Sequence, residues 1–115
     1  MQAIEVNIYN IVGNSFCVDV EDGEKVFAVL RKILEQNNKA VISFFNVEMV
    51  TSAFLNTAVG RLYGLFPYET IRESLSLKDI TDDDKLLLKK VTDTAKIYYK
   101  NKEKIEKIEN EILGE

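Results

Sequence analysis

The stretch "VISFFNVEMVTSAFLNTAVGRLYG", residues 41–64, is the most informative part of the sequence because it changes from a strand pattern to a helix pattern within a few residues. Residues 40–45 form a short, nearly continuous apolar run rich in branched and aromatic side chains. That length suits a central strand covered on both faces better than it suits a helix. A polar step follows, and the pair Thr51-Ser52 stands where the helix pattern begins.

The second part of this stretch predicts a helix from about Ser52 to Tyr63. Four apolar residues recur there at helical spacing: Leu55, Ala58, Val59 and Leu62. Gly64 stands where a left-handed residue commonly ends a helix, and Pro67 follows three positions later. A hydroxyl of Thr51 or Ser52 is a natural N-cap for such a helix, worth about 0.5–2 kcal/mol.

Upstream, two segments alternate apolar and polar residues and predict an N-terminal β-hairpin. The segment "AIEVNIYNIV" places Ile4, Val6 and Ile8 on one face. The segment "SFCVDV" places Phe16, Val18 and Val20 together, and the intervening "VGN" has turn chemistry.

Between the hairpin and residue 40 the pattern changes to that of an amphipathic helix. Asp22 is the expected N-cap, and the pair Asn37-Asn38 is the expected end. The apolar face of this helix comprises Val26, Phe27, Leu30, Ile33 and Leu34.

Downstream, "TIRESLSLKDI" predicts a fourth strand, at an edge of the sheet because Glu73 interrupts its apolar face. Thr81 with Asp84 predicts the start of a helix that runs nearly to the end. A helix from Asp82 to Leu113 would be about 48 Å long, whereas a domain of this size is roughly 27 Å wide. We therefore expect a domain over residues 1–101 and a helical extension over residues 102–115.

The predicted order is β-β-α-β-α-β-α, with a long C-terminal helix. Strands alternating with helices indicate an α/β fold with parallel neighbours, and the hairpin adds an antiparallel pair. The expected sheet is therefore mixed and about four-stranded.

The composition and charge of the chain argue against several classes of function. The net charge is −4, so the basic surface of a nucleic-acid-binding protein is not expected. No apolar run approaches the roughly 20 residues that span a bilayer, and the first residues lack a basic leader, so neither a membrane nor export is expected. The single cysteine, Cys17, fits a reducing cytoplasm.

Catalysis is not expected from these residues. Histidine is absent, which removes the commonest general base and the commonest zinc ligand. Cys17 has no basic neighbour in sequence to activate it. The run Asp82-Asp83-Asp84 spreads around a helix and is explained by the positive end of the helix dipole, so no metal site is predicted.

At the junction of strand and helix, the sequence resembles the STAS domain, the fold of bacterial anti-sigma-factor antagonists. More narrowly, "ISFFNVEMVTSAFLNTAVGRLYG" looks like a STAS-like family of unknown function. The resemblance extends over roughly residues 2–100, and its specific part is confined to about 41–66.

The resemblance implies a site as well as a fold. In the antagonists a serine at this step is phosphorylated by a GHKL-type kinase, and Ser52 matches that serine while Thr51 takes the place of its aspartate. The implied partner surface comprises Phe54, Asn56 and Arg61. Two features depart from the antagonist pattern: Phe54 stands where glycine is usual, and Thr51 lacks a carboxylate.

Two hypotheses follow, neither of which involves a cofactor bound to this chain. In the first, the domain is a regulatory interaction module that docks a GHKL-type kinase or an anti-sigma-like protein, with Ser52 as a phosphoswitch. In the alternative, Ser52 is only a helix cap and the chain is a structural or oligomerisation module. The stripe Ile105, Ile108 and Ile112 would then bend back onto the domain or pair with a second chain.

Overall fold

A computed structural model describes residues 2–114. Its strands are β1 (Ala3–Asn7), β2 (Phe16–Cys17), β3 (Lys39–Ser43), β4 (Met49–Val50) and β5 (Leu75–Lys78). Its α-helices are α1 (Ile8–Val12), α2 (Val20–Glu35), α3 (Ser52–Ala58), α4 (Tyr68–Ser74) and α5 (Asp82–Ile112), with a 3₁₀ helix at Gly60–Gly64.

The main sheet has three parallel strands in the order β1-β3-β5. The predictions that β3 is central and that β5 lies at an edge are confirmed. A second, two-stranded parallel sheet pairs β2 with β4. The predicted mixed sheet of about four strands is therefore wrong in detail, since no strand pair within residues 2–114 is antiparallel.

One face of the main sheet carries the core, and the other is largely polar. Val6 and Ile42 are buried neighbours on the core face. On the opposite face Val41 is only half-buried, and the Lys78 ammonium lies 2.9 Å from a Glu5 carboxylate oxygen. The expected burial of the central strand on both faces is therefore only partly realised.

The predicted N-terminal hairpin is wrong, because the chain forms α1 directly after β1. Asn7 caps this short helix by accepting a hydrogen bond from the Asn10 backbone N–H at 2.9 Å. Gly13 ends it with φ of 77°, and its N–H donates to the Tyr9 carbonyl oxygen. The alternation that suggested one strand therefore runs on into a helix, where Ile8 is fully buried.

The amphipathic helix α2 has the predicted apolar face: Val26, Phe27, Leu30, Ile33 and Leu34 are all buried. It begins earlier than expected, with Asp19 at the N-cap and Asp22 within the first turn. After its end, Asn37 takes a left-handed conformation with φ of 60°. The helix packs closely on α3 at Gly23, where a β-carbon would lie 2.9 Å from the Phe54 carbonyl oxygen.

The predicted helix over residues 52–63 is interrupted. α3 ends at Ala58, and the chain tightens into the 3₁₀ helix. Gly64 does not adopt the left-handed conformation; positive φ among the described glycines is confined to Gly13 and Gly114. Gly64 instead makes room for the Tyr99 ring, since a β-carbon at this position would lie 2.5 Å from it.

The segment predicted as one strand from residue 70 is divided between α4 and β5. Pro67 precedes α4 and Glu69 lies in its first turn, as is common for the start of a helix. Ile71 is the residue of this short helix that is buried in the core. Only residues 75–78 join the sheet, beside Ala40–Ser43.

The C-terminal helix α5 covers the core with its first half only. Thr81 caps it by accepting a hydrogen bond from the Asp84 N–H at 3.2 Å, which confirms the predicted cap. Leu88, Val91 and Ala95 are buried against the domain, whereas every residue from 101 to 114 is exposed. The helix therefore extends the molecule to 52 Å along its longest axis, against 30 and 24 Å across it.

Candidate functional site

The start of α3 is held by Thr51. Its hydroxyl accepts a hydrogen bond from the Phe54 N–H at 3.2 Å and donates one to the Val18 carbonyl oxygen at 3.3 Å. The first bond caps α3, and the second ties the helix start to the segment that follows β2. Thr51 is half-buried, and both of its hydroxyl hydrogen bonds stabilise the fold.

Ser52 is the first residue of α3, and it is exposed. Because Thr51 is the N-cap, the Ser52 side chain is not required to satisfy the helix end. The two hydroxyls therefore have separate positions: one bonded inside the structure and one open to solvent. Of the two predicted modification positions, Ser52 is the one whose environment suits the approach of an enzyme.

Four exposed apolar residues lie on the segments that precede Ser52 in sequence. Phe16 and Met49 are opposite each other in the β2-β4 pair, and each exposes about half of its surface. Val20 begins α2, and Phe45 lies in the loop after β3 with 57% of its surface exposed. We call Phe16, Val20, Phe45 and Met49 the apolar patch; its acidic neighbours in sequence are Asp19, Glu21 and Glu48.

The turn after β3 has a defined geometry that places Phe45 outside the core. The Phe45 N–H donates to the Ser43 hydroxyl at 3.3 Å, and the Val47 N–H donates to the Phe44 carbonyl oxygen at 3.0 Å. Asn46 takes a left-handed conformation with φ of 64°. Phe44 is therefore buried while its neighbour Phe45 is exposed.

The partner surface predicted from the resemblance is not assembled as expected. The Phe54 ring is 0% exposed and is part of the core, so its inclusion in that surface is wrong. Asn56 is exposed. Arg61 lies beyond the other end of α3, where its guanidinium stacks 4.2 Å from the Phe27 ring centroid and lies 3.8 Å from Glu24.

The apolar patch was not predicted from the sequence, because the side chains of β2 that face the core were assigned to the wrong face of the strand. It placed Phe16, Val18 and Val20 on one apolar face, whereas the structure buries Cys17 and exposes Phe16. The strand has only two residues, so its alternation was too short to fix which side faces the core.

Cys17 follows Phe16 in β2 and is fully buried. Burial, with a smaller contribution from the Asp22 charge, raises the pKa of its thiol to about 11. The thiol therefore stays protonated at neutral pH, which does not suit a nucleophile. Its Sγ lies 3.8 Å from the Asn14 carbonyl oxygen, in a turn that leads into β2.

Two lysines and an aspartate on the middle part of α5 form ion pairs with one another. A cleft of about 290 Å³ opens between β5 and α5, over an apolar floor that includes Ile42, Ile71 and Leu88. The Lys89 ammonium at its rim lies 2.8 Å from Asp93, and Lys96 lies 3.8 Å from the same carboxylate. Asp93 accordingly has a lowered pKa, chiefly through its hydrogen bond from Lys89.

The three aspartates in the first turn of α5 stabilise the start of that helix. Asp82, Asp83 and Asp84 occupy that turn, where carboxylates favour the positive end of the dipole. Within residues 2–114 no group of three His, Cys, Asp or Glu side chains is placed to hold a metal ion.

No helix in the same range is both long enough and apolar enough to cross a membrane.

The isoleucines predicted to mediate oligomerisation lie on the exposed part of α5. Ile105, Ile108 and Ile112 are 55%, 45% and 76% exposed. None of them packs on the domain, so of the two alternatives the bending back of the stripe is not realised. Ile97 and Tyr98 extend the exposed apolar surface towards the domain.

A protein-family model described as a STAS-like domain of unknown function (DUF4325) matches residues 22–85. This match spans 64 of the 115 residues, from the first turn of α2 to the first turn of α5. The chain belongs to this STAS-like family. The matched part contains β3, the Thr51-Ser52 step, α3 and β5, whereas Phe16 and Val20 of the apolar patch precede it. Comparisons with curated proteins and with solved structures found no match.

Proposed function

We propose that this STAS-like domain is a regulatory protein–protein interaction module that docks its partner on the apolar patch beside Ser52. The observation that carries the proposal is that Ser52 is exposed and free of the cap role, which Thr51 takes, and that it follows Met49 of the exposed Phe16-Met49 pair by three residues in sequence. Exposed apolar surface on a small domain commonly marks a site of interaction. Interaction, and not catalysis, is the proposed activity.

Ser52 would act as a switch by changing the charge at the edge of the patch. A phosphate adds about −1.5 to −2 charges at neutral pH. The neighbouring Asp19 and Glu48 are already acidic, and an apolar partner surface would have to desolvate the phosphate on docking. Phosphorylation is therefore expected to release the partner while α3 stays folded, because Thr51 keeps its cap.

The family resemblance supplies the proposed class of partner. Anti-sigma-factor antagonists are phosphorylated by GHKL-type kinases, and Ser52 stands at their serine position. ATP and Mg²⁺ would belong to that kinase. A GHKL-type kinase or anti-sigma-like protein encoded beside the gene is the first candidate to test.

The test combines phosphorylation with binding. The full chain is incubated with that kinase and ATP, the modified residue is located by mass spectrometry, and binding is measured by calorimetry. Phosphate on Ser52, and binding lost in both Phe45→Ser and Ser52→Asp, would support the proposal. Gln36→Glu is the matched control, since it adds one negative charge at an exposed position at the opposite end of α2 from Val20.

Two outcomes would overturn the switch. Absence of both phosphate and a complex with the candidate kinase would remove the GHKL-type partner. Unchanged binding by Ser52→Asp, with binding lost in Phe45→Ser, would leave the docking surface and remove the phosphoswitch.

A second candidate function is an oligomerisation module, favoured by the exposed Ile105, Ile108 and Ile112 on α5. A helical seam of this kind is poorly stable alone in water and gains stability by packing. Sedimentation of the full chain and of a chain ending at Asn101 tests it. A monomer in both cases would exclude this function.

A further inference from the structure

We infer that two copies of this chain pair through the end of α5 in antiparallel orientation. The inference rests on the second candidate function and is independent of Ser52. It names the partner as a second copy and specifies how the two helices are aligned. The observations that carry it are the direction of the isoleucine seam and the charges on its two flanks.

The seam faces away from the domain that it belongs to. Tyr99 packs on Gly64 and so marks the side of α5 that faces the domain. At 100° per residue, the seam residues lie about 120–180° around the helix from Tyr99. These seam residues are Ile105, Ile108 and Ile112. Their own domain cannot cover them without breaking α5, so only another molecule can bury them.

The seam has the heptad spacing of a coiled coil, with Ile105 and Ile112 at a positions and Ile108 at d. The flanking e positions are then Lys102 and Glu109. The flanking g positions are Lys104 and Glu111. Each flank therefore carries a lysine towards the domain and a glutamate seven residues later, towards the free end.

This charge order is self-complementary when the helices run in opposite directions. In an antiparallel pair, e positions face e positions and g positions face g positions. With Ile105 opposite the partner's Ile108, Lys102 faces the partner's Glu109 and Lys104 faces the partner's Glu111. The twofold symmetry repeats both contacts, so four oppositely charged pairs flank the seam.

The parallel arrangement uses the same residues less completely. There, g positions face e positions of the partner, so only Lys104 and Glu109 meet, twice by symmetry. Lys102 and Glu111 would have no charged partner. Asn101 would face its own copy there, whereas the antiparallel pair places it opposite the partner's Ile112; this is the main feature in favour of the parallel alternative. Antiparallel pairing also places the two acidic domains at opposite ends of the helix pair.

The charge order is unfavourable for the helix alone, which supports an intermolecular role. Carboxylates at the C-terminal end oppose the helix dipole, yet the last turn of α5 contains no basic residue. Within the described residues, the ion pairs along α5 involve no residue after Lys96. The lysines and glutamates of the tail are therefore available to a second copy.

The test is a charge exchange followed by sedimentation equilibrium. The wild-type chain is expected to show a concentration-dependent monomer–dimer equilibrium. The double variants Lys102→Glu/Lys104→Glu and Glu109→Lys/Glu111→Lys each place like charges opposite one another, and should weaken dimerisation by roughly tenfold or more. An equimolar mixture of the two should form a heterodimer at about wild-type strength.

The orientation is tested by single substitutions of equal charge change. Lys102→Glu should weaken the dimer because Lys102 faces a glutamate only in the antiparallel pair. Lys107→Glu, which lies at an outer c position, is the matched control and should leave dimerisation unchanged. Circular dichroism of each variant checks that the domain remains folded.

Each outcome bears on a different part of the inference. A wild-type chain that stays monomeric at all concentrations would overturn both the pairing and the oligomerisation function. A dimer that resists every charge variant would leave oligomerisation and overturn the antiparallel alignment. If Lys102→Glu and Lys107→Glu weakened dimerisation equally, the effect would come from the net charge of the chain and not from a specific contact. That outcome also overturns the alignment.

Discussion

At the scale of single residues, Thr51 and Ser52 have different roles although they are adjacent and chemically alike. Thr51→Ala should lower the free energy of unfolding by about 1 kcal/mol, because it removes the N-cap of α3. Ser52→Ala should change it by less than about 0.5 kcal/mol, as at other exposed positions. Urea denaturation measures both changes.

Thr51→Ser is the control for this comparison, since serine also caps helices and retains the hydroxyl that bonds the Val18 carbonyl. A larger loss in Ser52→Ala than in Thr51→Ala would contradict the separation of the two roles. Binding to a partner can then be measured in Ser52 variants without a confounding loss of stability.

The buried Cys17 predicts a dependence of stability on alkaline pH. Its folded pKa is raised from 9.0 to about 11, so the folded state holds the thiol proton more tightly than the unfolded state does. This contribution to stability is fully present below pH 9 and is lost as the pH rises from 9 to about 11. The loss arises because only the unfolded chain ionises readily in this window.

Urea denaturation at pH 8, 9 and 10, in the wild type and in Cys17→Ala, tests this prediction. The Cys17→Ala chain should lose less stability across the window than the wild type does. The difference between the two chains cancels the tyrosines and lysines that titrate in the same range. Parallel pH dependences in the two chains would show that Cys17 ionises equally well in the folded state.

At the scale of elements, the sequence predicted those whose pattern was long or whose environment was simple. The 16-residue helix α2 repeats its apolar face over four turns, and that face is the buried one. The apolar run of β3 was recognisable because a central strand needs little polar alternation. The cap at Thr81 was recognisable because it depends on residues three positions apart.

The elements that were missed, or predicted with the wrong partner strand, are short and depend on contacts distant in sequence. The five-residue helix α1 and the seven-residue helix α4 offer too few turns for a helical period to appear. β2 has two residues and is defined by its pairing with β4, more than 30 positions away. The Phe16-Met49 pair of the apolar patch lies on the two-residue strands β2 and β4, so its missed position has the same cause.

The packing of α2 on α3 makes Gly23 a sensitive position. A β-carbon there would lie 2.9 Å from the Phe54 carbonyl oxygen and 3.0 Å from the Thr57 Cβ. The main-chain oxygen cannot rotate away, so Gly23→Ala must separate the helices. We expect a loss of about 1–2 kcal/mol in the free energy of unfolding, measured by thermal or urea denaturation.

Gly60→Ala is the matched control, because Gly60 is also buried. Its added β-carbon would lie 3.3 Å from the Asn56 Oδ1, on an exposed side chain that can move. The loss there should be smaller than at Gly23. A Gly23→Ala chain as stable as the wild type would show that α2 and α3 can separate at little cost.

At the scale of the whole molecule, the chain combines a packed domain with a projecting helix end. The fold of the domain places Ser52 and the apolar patch near the start of α3, whereas α5 carries the isoleucine seam beyond the domain surface. The two proposed surfaces thus lie on separate parts of the chain. Each can be removed without the other, which allows the two candidate functions to be tested independently.

The separation predicts that the domain folds without the end of α5. No residue in 102–114 is buried, so a chain ending at Asn101 should differ from the full chain by less than about 1 kcal/mol in the free energy of unfolding. The measurement belongs at low protein concentration, where a dimer would add no stability by mass action. A chain ending at Thr94 is the control: it also loses the buried Ala95 and the Tyr99 ring packed on Gly64, and it should lose roughly 2 kcal/mol or more. A loss of that size already in the chain ending at Asn101 would mean that the end of α5 packs on the domain, and the free seam required for pairing would then not exist.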